Sequence, residues 1–325
     1  MSATIRSFKR FNASPENTSA TQLLEMIAGG TRSLDDGSFV LAGNYSLRWP
    51  KNIDFCRSLQ KNFGQVIFIG DSILRQMFFV LMSLLRDSLS FGSLKDWFFS
   101  ARNESMAQCQ CGKLLHCGYK EYEHEPAVKR ETRYGPAHYM RDSYQLRTSR
   151  HPQYNLTTMP LCPSLSGRAP AVDAVHLWRP YHWELDNDVE LRTLLLNAPK
   201  SLVVFSGGLW WDHDLHLASK LFENVAKIHA EHPSTTILCH GSHWAPEPKT
   251  EIYRTFNGLM RNLSANASFA FFDVYNLTYQ PYCSQLSDGT KAGSFFGDCT
   301  HFSYEVVLLK AVALLSWVVA TSRLH

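Results

Sequence analysis

The amino-acid sequence predicts a three-layer α/β/α sandwich built around a mainly parallel, five-stranded sheet. Short apolar runs of strand length alternate along the chain with longer segments of helical periodicity. Strands that alternate with helices favour a parallel sheet with helices on both of its faces. The chain has 325 residues, 45% of them hydrophobic, which is enough for a large packed core.

Each element of this sandwich follows from a local pattern. The predicted strands are the apolar runs at residues 66–69, 174–178, 202–205, 236–239 and 269–274. The predicted helices occupy residues 73–85, 189–196, 215–230 and 251–263. In the third helix, Leu217, Leu221 and Val225 keep a helical spacing, with polar residues on the opposite side. A closing helix at 306–320 is an apolar run interrupted by Lys310, and its fifteen residues are fewer than the ~20 that span a bilayer.

The chain divides into an N-terminal extension and a main domain. Residues 1–64 are predicted to pack on the body formed by residues 65–325, where the alternation of strands and helices begins. An insertion at about 89–170 has little periodicity and carries four cysteines. So long an irregular stretch is usually functional or cross-linked, so we expect a disulfide-tied cap beside the site, with a peripheral decoration as the alternative.

Composition indicates the compartment and excludes one class of partner. The net charge is +3 and the basic residues are scattered, which argues against a nucleic-acid partner. Eight Asn-x-Ser/Thr sequons are present where chance would give about two. They predict a glycoprotein of the secretory pathway, in the Golgi lumen or outside the cell. Residues 1–11 lack the apolar core of a signal peptide, so we expect that a signal or membrane anchor is missing from this chain.

Two short motifs at opposite ends of the chain predict one active site. Gly-Asp-Ser at residues 70–72 follows the first strand and opens a helix, and Asp-Cys-Thr-His at 298–301 precedes the closing helix. A serine hydroxyl needs a base such as histidine to become a nucleophile, and a carboxylate fixes that histidine. Ser72, His301 and Asp298 therefore predict an acyl-transfer triad. In the alternative, Ser72 is only a helix N-cap and His301 a core residue.

The predicted topology brings these motifs to one edge of the sheet. Active sites of parallel sheets gather at the carboxyl ends of the strands. Ser72 follows the first strand, the Ser-Gly-Gly turn at residues 206–208 follows the third, and residues 298–301 follow the fifth after a loop. We therefore expect all three segments to converge.

Three blocks of the sequence resemble the SGNH (GDSL-type) acyl hydrolases. They are most similar to the PC-esterase branch, which includes the plant trichome-birefringence-like polysaccharide O-acetyltransferases. Residues 68–76, Phe-Ile-Gly-Asp-Ser-Ile-Leu-Arg-Gln, resemble the Gly-Asp-Ser block of that branch. Residues 204–211, Val-Phe-Ser-Gly-Gly-Leu-Trp-Trp, resemble its Phe-Asn-Thr-Gly-His-Trp-Trp block. Residues 298–302, Asp-Cys-Thr-His-Phe, resemble its Asp-Cys-Ser-His-Trp block.

This resemblance implies a flavodoxin-like SGNH fold and a role for each triad residue. Ser72 would be the nucleophile, His301 the base and Asp298 the acid that orients it. The Ser72 backbone N–H and Gly208 would bind the oxyanion, helped by the N-terminus of the helix that Ser72 begins. Ser206 stands where the family has an asparagine, and its hydroxyl reaches less far than an amide, which predicts a weaker oxyanion hole.

The substrate side of the site is predicted from the same blocks. Arg75 lies one helical turn after Ser72 and could contact an acyl carbonyl or a sugar, or form a salt bridge to Asp71, which we expect to be structural. Trp210 and Trp211 could stack on sugar rings or belong to the core.

The sequence thus predicts a serine acyl esterase or O-acyltransferase that acts on O-acyl groups, foremost O-acetyl groups, of a glycan or polysaccharide. A transferase would also bind an acyl donor, and neither reaction needs a cofactor. Hydrolase and transferase differ in whether an acceptor displaces water from the site, so the choice stays open. The alternatives are a non-catalytic glycan-binding or adhesion module on the same fold, and a lipid or small-ester hydrolase.

Other chemistry-bearing residues have weaker interpretations. His213, Asp214 and His216 are potential metal ligands, but they lie at a predicted helix start, where an aspartate usually caps; no metal site is predicted. His240 and His243 lie near the same sheet edge and could contact substrate or be satisfied loop histidines.

Two further positions remain open. Trp244 could stack on a sugar or lie in the core. Cys299 could pair with Cys283, which would hold the His301 loop in place, but the disulfide pairing does not follow from the sequence.

Overall fold

A computed structural model of the chain describes residues 18–32, 39–47, 52–85, 159–161, 172–178, 188–198, 200–208, 212–245, 248–279 and 304–322. Its strands are β1 (Thr31–Arg32), β2 (Phe39–Leu41), β3 (Tyr45–Ser46), β4 (Gln65–Gly70), β5 (Met159–Leu161), β6 (Val172–Trp178), β7 (Ser201–Phe205), β8 (Thr236–His240) and β9 (Ala270–Phe272). Its helices are α1 (Ala20–Ala28), α2 (Asn52–Asn62), α3 (Ser72–Leu85), α4 (Val189–Asn197), α5 (Leu215–Glu231), α6 (Thr250–Asn266) and α7 (Tyr304–Thr321).

The main sheet has the strand order β5-β6-β4-β7-β8-β9. Strands β6, β4, β7, β8 and β9 are parallel, and these are the five strands that the sequence predicts. In the main sheet, β4 comes first along the chain. The later strand β6 pairs with one side of β4, and β7 pairs with its other side. The sheet therefore has a topological switch point between β4 and β7, as in flavodoxin-like folds.

The three-layer arrangement is confirmed by two apolar clusters, one on each face of the sheet. Along β4, Val66 and Phe68 belong to one cluster, whereas Ile67 and Ile69 belong to the other, because successive strand side chains point to opposite faces. Helices α1, α2, α3 and α7 cover the first face. Helices α4, α5 and α6 cover the second.

Two differences from the expected sheet have local causes. An additional strand, β5, pairs antiparallel with β6 at the sheet edge. It has three residues, one of them proline, and so shows no strand periodicity in the sequence. Strand β9 ends at Phe272, before the predicted 274, because the Asp273 carboxylate accepts the Tyr275 N–H at 3.0 Å and starts a turn.

The described part of residues 1–64 has structure that the sequence pattern does not reveal. A small antiparallel sheet, β1-β2-β3, lies between α1 and α2 in the chain. Helix α1 starts with a capping box, in which Ser19 and Gln22 exchange side-chain and backbone hydrogen bonds. Ile27, Phe39 and Phe55 are buried in the same cluster as α3 and α7. The described extension therefore packs on the body, sharing its core.

Helix α7 is the closing helix that the sequence predicts, and its described residues are almost all buried. It packs against α1, α2 and α3. Its end is fixed where Lys61 donates to the Ser322 carbonyl at 2.8 Å and Asn62 donates to the Ser322 hydroxyl at 2.6 Å. In the segments that the structure describes, no helix has both the length and the apolarity to cross a membrane.

The predicted disulfide sites lie only partly within the described segments. The cap predicted at 89–170 lies outside them apart from β5, as do Cys283 and Cys299. Cys56 of α2 is disulfide-bonded. Cys239 is a free, buried thiol in β8, so it takes no part in the disulfide framework.

Candidate active site

The Gly-Asp-Ser turn and the Ser-Gly-Gly turn lie side by side at the switch point of the sheet. Strand β4 ends at Gly70 and α3 begins at Ser72, while residues 206–208 follow β7, the neighbouring parallel strand. The Ser206 N–H donates to the Ile69 carbonyl at 3.1 Å, so the ladder continues one residue beyond β7. Ligands of open α/β sheets bind at this kind of crevice.

Gly70 allows the two turns to touch. A Cβ added there would lie 3.1 Å from the Ser206 Oγ and 2.9 Å from the Leu74 Cδ1. Any larger residue at position 70 would therefore have to displace the side chains of Leu74 and Ser206. The buried Ser206 hydroxyl lies against the backbone of the Gly-Asp-Ser turn. This is the position where the related block has an asparagine.

Asp71 caps the helix that begins at Ser72. Its carboxylate accepts the Ile73 N–H at 2.9 Å, and its residue is only 3% exposed. This agrees with the structural role expected from the sequence, because such a cap fixes the first turn of a helix. The free N–H groups and the dipole of α3 give this end a partial positive charge.

Gly208 has a backbone conformation that favours glycine. Its φ is +116°, and its carbonyl accepts the His213 N–H at 2.8 Å. A Cβ at Gly208 would lie 2.8 Å from the His213 Cδ2 and 3.0 Å from the Phe256 Cζ. Asp212 and His213 are themselves left-handed, with φ of 50° and 58°. Consecutive strained residues of this kind cluster at functional sites.

The His213 ring packs against Gly208 and against two aromatic side chains of α6. Its centroid lies 3.7 Å from that of Tyr253 and 4.9 Å, edge-on, from that of Phe256. Burial, followed by the charge of Lys249, lowers the pKa of His213 to about 4, so the ring is neutral at pH 7.

The neighbouring Asp214 caps α5, as the sequence predicts. Its carboxylate accepts the N–H groups of His216 and Leu217 at 2.8 and 3.0 Å, and His216 is exposed. Within the described segments, no three potential ligands are close enough together to hold a metal ion.

A second set of buried polar groups follows β8 at the same edge. His240 is the last residue of β8 and is 1% exposed, and neither ring nitrogen has a hydrogen-bond partner among the described residues. Burial lowers its pKa well below the usual value, and the nearby Lys310 lowers it further. The buried His243 ring lies 5.6 Å from that of Tyr253. Trp244 is buried and packs edge-on against Tyr279, as expected of a core residue.

Lys310 of α7 is a buried charged residue that is not among the predicted site residues. It is 1% exposed, and burial lowers its pKa to about 7, while the charge of Asp71 acts in the opposite direction. The only sequence signal is a single lysine in an apolar helix, which does not reveal how deeply the lysine is buried.

The site residues differ in how far the structure describes them. The backbone of Ser72 and Arg75 lies in the first turn of α3. Ser206 and Gly208 lie in the Ser-Gly-Gly turn after β7. The remaining predicted residues lie outside the described segments: Trp210, Trp211, Asp298 and His301. The described elements alone provide a helix N-terminus beside a glycine turn in a buried polar setting, which is suited to stabilising an oxyanion.

No family model matches the sequence, and no curated protein matches it either. Among solved structures, an acetylxylan esterase from Geobacillus stearothermophilus is 12% identical, with a TM-score of 0.36, over 78% of this chain and 94% of the esterase. An α/β hydrolase enzyme from the metagenome of Lake Arreo, Spain, is also 12% identical, with a TM-score of 0.36, over 79% of this chain and 96% of its own. At this identity and TM-score, the likeness assigns neither a family nor an activity to the chain.

Proposed function

We propose that this protein is a serine acyl esterase or O-acyltransferase of the SGNH type that forms an acyl-enzyme on Ser72. The observation that carries the proposal is the contact between the Gly-Asp-Ser turn and the Ser206 turn at the switch point of the sheet. This contact unites two of the three blocks that resemble the PC-esterase branch. The third block, at 298–301, supplies Asp298 and His301 as orienting acid and base.

In the proposed reaction, the Ser72 hydroxyl adds to the acyl carbonyl while His301 takes its proton. The carbonyl oxygen becomes an oxyanion, which the Ser72 N–H and the Gly208 turn stabilise. The bond to the leaving sugar oxygen then breaks, and that oxygen takes the proton from His301. Water or a second sugar hydroxyl attacks the acyl-enzyme in the same way and frees Ser72. No cofactor takes part.

The proposed substrate is an O-acetylated glycan or polysaccharide in the secretory pathway. The resemblance to polysaccharide O-acetyltransferases supports the substrate, and the second block contains two tryptophans, a residue type that can stack on sugar rings. Four sequon asparagines are described, and all of them are exposed, as glycosylation requires: Asn44, Asn262, Asn266 and Asn276. These exposed sequons support a glycoprotein of the Golgi lumen or the extracellular space.

Covalent labelling with a fluorophosphonate probe tests the nucleophile. We expect labelling of the wild-type chain and its loss in Ser72→Ala, because the probe reacts with an activated serine. Ser83→Ala, on the same helix, is the matched control and should keep full labelling. Labelling that persists in Ser72→Ala would show that the nucleophile is elsewhere. Labelling should also weaken at low pH as the base becomes protonated.

A series of nitrophenyl esters of increasing acyl length tests the substrate class. We expect hydrolysis of the acetyl ester and little hydrolysis beyond short acyl groups. Efficient cleavage of long acyl chains would favour a lipid or small-ester hydrolase instead. One observation favours a second candidate, a non-catalytic glycan-binding module: Ser206 replaces the asparagine of the related block. Glycan binding by a chain that no probe labels would establish that candidate.

A further inference from the structure

The imidazole ring of His240, at the end of β8, is buried without hydrogen bonds. The side chain is 1% exposed, and neither ring nitrogen has a hydrogen-bond partner among the described residues. Buried polar groups are nearly always hydrogen-bonded, because an unpaired one has lost its contact with water and gained nothing in return. The two free ring nitrogens therefore point to a small polar ligand that the protein encloses.

The buried His240 ring is neutral. Burial lowers its pKa well below the usual value, and the charges of Lys310 and His243 lower it further. The backbone carbonyls of residues 240 and 241 act in the opposite direction, but they do not lie where they could accept a hydrogen bond from the ring. A neutral imidazole has one N–H donor and one acceptor nitrogen. The ligand must therefore be able both to accept and to donate a hydrogen bond.

His240 lies in the same row of the sheet as Gly70 and Ser206. The last positions that pair across β4, β7 and β8 are in register, and these three residues come directly after them. The Ser206 N–H still donates to the Ile69 carbonyl at 3.1 Å, and His240 is still paired with Phe272 of β9. Ser206 and His240 are therefore neighbours on adjacent strands, at the edge that carries the proposed nucleophile.

The side chains of Ser206 and His240 share one face of the sheet. Two positions earlier on each strand, Val204 and Leu238 belong to the apolar cluster that α3 and α7 cover, and strand side chains alternate between the two faces. The His240 ring meets Phe272 of the same cluster edge-on, with 5.7 Å between the ring centroids. The buried hydroxyl and the buried imidazole thus face the same side.

The spacing of the two side chains suits one bridging water molecule. Adjacent strands lie about 4.8 Å apart, and a water that makes two hydrogen bonds joins polar atoms about 4.5–5.5 Å apart. The ring makes no direct hydrogen bond to Ser206. Water can accept the ring N–H and donate to the hydroxyl oxygen, and buried waters typically satisfy polar groups that have no other partner.

A bridging water would also fix the direction of the Ser206 hydroxyl. A serine hydroxyl has one proton and rotates freely, so it donates in a set direction only if a neighbour occupies one of its lone pairs. Ser206 replaces the asparagine of the related block, whose amide needs no such help because its two protons lie in a fixed plane. The His240 side can therefore supply the orientation that serine lacks.

We propose that His240 is a positioning residue that binds a buried water molecule, and that this water donates to the Ser206 hydroxyl and directs the hydroxyl proton towards the oxyanion formed at Ser72. The inference rests on the proposed acyl-transfer function and makes Ser206 a third oxyanion donor beside the Ser72 N–H and the Gly208 turn. His240 acts through the water and Ser206 and does not contact the acyl group.

A crystal structure of the full chain tests the water site without any measurement of activity. We expect one ordered water within about 3.2 Å of both a His240 ring nitrogen and the Ser206 Oγ. The water should be absent from His240→Leu and present in His240→Gln, because glutamine keeps a donor and an acceptor. A wild-type structure with no water at this position, or with the ring bonded to another protein group, would overturn the inference.

Steady-state hydrolysis of nitrophenyl acetate tests the positioning role through a double-mutant cycle. Ser206→Ala should lower kcat at least tenfold with KM unchanged, because it removes a donor that acts in the transition state. His240→Leu should lower kcat at least fivefold, and His240→Gln should keep most of it. Adding His240→Leu to Ser206→Ala should cause no further loss, because His240 acts only through that hydroxyl. Leu238→Met, on the same strand and face, is the packing control and should keep the wild-type kcat.

The two experiments separate failure of the inference from failure of the proposed function. If the water is missing, or if the effects of His240→Leu and Ser206→Ala on kcat simply multiply in a chain that labels at Ser72, the inference is wrong. If the water is present but the wild-type chain neither labels at Ser72 nor cleaves the ester, the proposed function is wrong, and the role of His240 in the reaction is refuted with it.

Discussion

Gly208 and His213 fix each other at the end of β7. The left-handed φ of Gly208 turns its carbonyl to the His213 N–H, and the His213 ring in turn occupies the space that a Cβ on residue 208 would need. Glycine meets both requirements because it adopts positive φ readily and has no side chain. The position assigned to oxyanion binding is thus held by packing from α6, through Tyr253 and Phe256.

Replacing Gly208 by alanine should damage both stability and labelling at Ser72. The strained φ and the 2.8 Å approach to the His213 ring predict a loss of about 1–3 kcal/mol in the free energy of unfolding. Urea unfolding and fluorophosphonate labelling rates measure the two effects.

Gly258→Ala in α6 is the matched control, because no atom lies within 4 Å of the added Cβ. It should stabilise the chain by about 0.5–1 kcal/mol, since glycine is a poor helix former. A Gly208→Ala variant as stable as Gly258→Ala would contradict the role given to the turn.

Some residues of the site could be predicted from the sequence, and others could not. The Gly-Asp-Ser and Ser-Gly-Gly turns could be predicted because each follows a strand whose apolar run is evident. The left-handed backbone of Asp212 and His213 could not, because it depends on contacts with α6 made after folding. The burial of Lys310 depends on the helices that pack around α7, and local patterns carry no information about it.

Helix α6 is joined to the segment after β8 by one asparagine. The Asn257 carbonyl oxygen accepts the Ser242 N–H at 2.7 Å, and its amide donates to the Ser242 carbonyl at 2.8 Å. All of these groups are buried. This pair of hydrogen bonds holds the segment that carries His240 and His243, because it satisfies both backbone groups of Ser242.

Asn257→Ala should lower the free energy of unfolding by roughly 2–4 kcal/mol, since it leaves two buried backbone groups without partners. Chemical unfolding at pH 7 measures this loss. Asn262→Ala changes an exposed asparagine of the same helix and should have an effect within about 0.5 kcal/mol. Equal stabilities of the two variants would show that the two Asn257 hydrogen bonds contribute nothing to the free energy of unfolding.

The parallel strands and their helices could be predicted because β4, β6, β7 and β8 are buried on both faces and appear as continuous apolar runs. The strands of the extension could not be predicted, because they lack such continuous apolar runs. Strands β1, β2 and β3 have two or three residues each and too few positions for an alternation to be seen. Among their described residues, Phe39 and Leu41 of β2 pack in the main core, which only the folded chain reveals.

The folded chain as a whole should lose stability in mild acid. The pKa of His213 is about 4, below its unfolded value of 6.5, and burial also keeps the pKa of His240 low. Between about pH 4 and 6.5 the unfolded chain therefore binds more protons, so the free energy of unfolding decreases as the pH falls. His213 alone accounts for about 3 kcal/mol of this decrease.

His213→Asn isolates that contribution, because asparagine tolerates a left-handed backbone but does not titrate. Its stability should fall less steeply between pH 6.5 and 4 than that of the wild-type chain, as measured by urea unfolding at several pH values. His216→Asn, at an exposed position nearby, should follow the wild-type curve. Parallel curves for His213→Asn and the wild type would mean that the folded chain binds a proton at His213 as readily as the unfolded chain does.

The free thiol of Cys239 has a consequence for how the chain matures. Burial in the middle of the sheet raises its pKa, so in the folded protein it hardly forms the reactive thiolate, whereas Cys56 is already cross-linked. During oxidative refolding, every cysteine thiol of the unfolded chain is at first equally able to form a disulfide. Assembly of β8 between β7 and β9 removes Cys239 from thiol exchange, so we expect fewer wrongly bridged molecules when the sheet forms before the disulfides do.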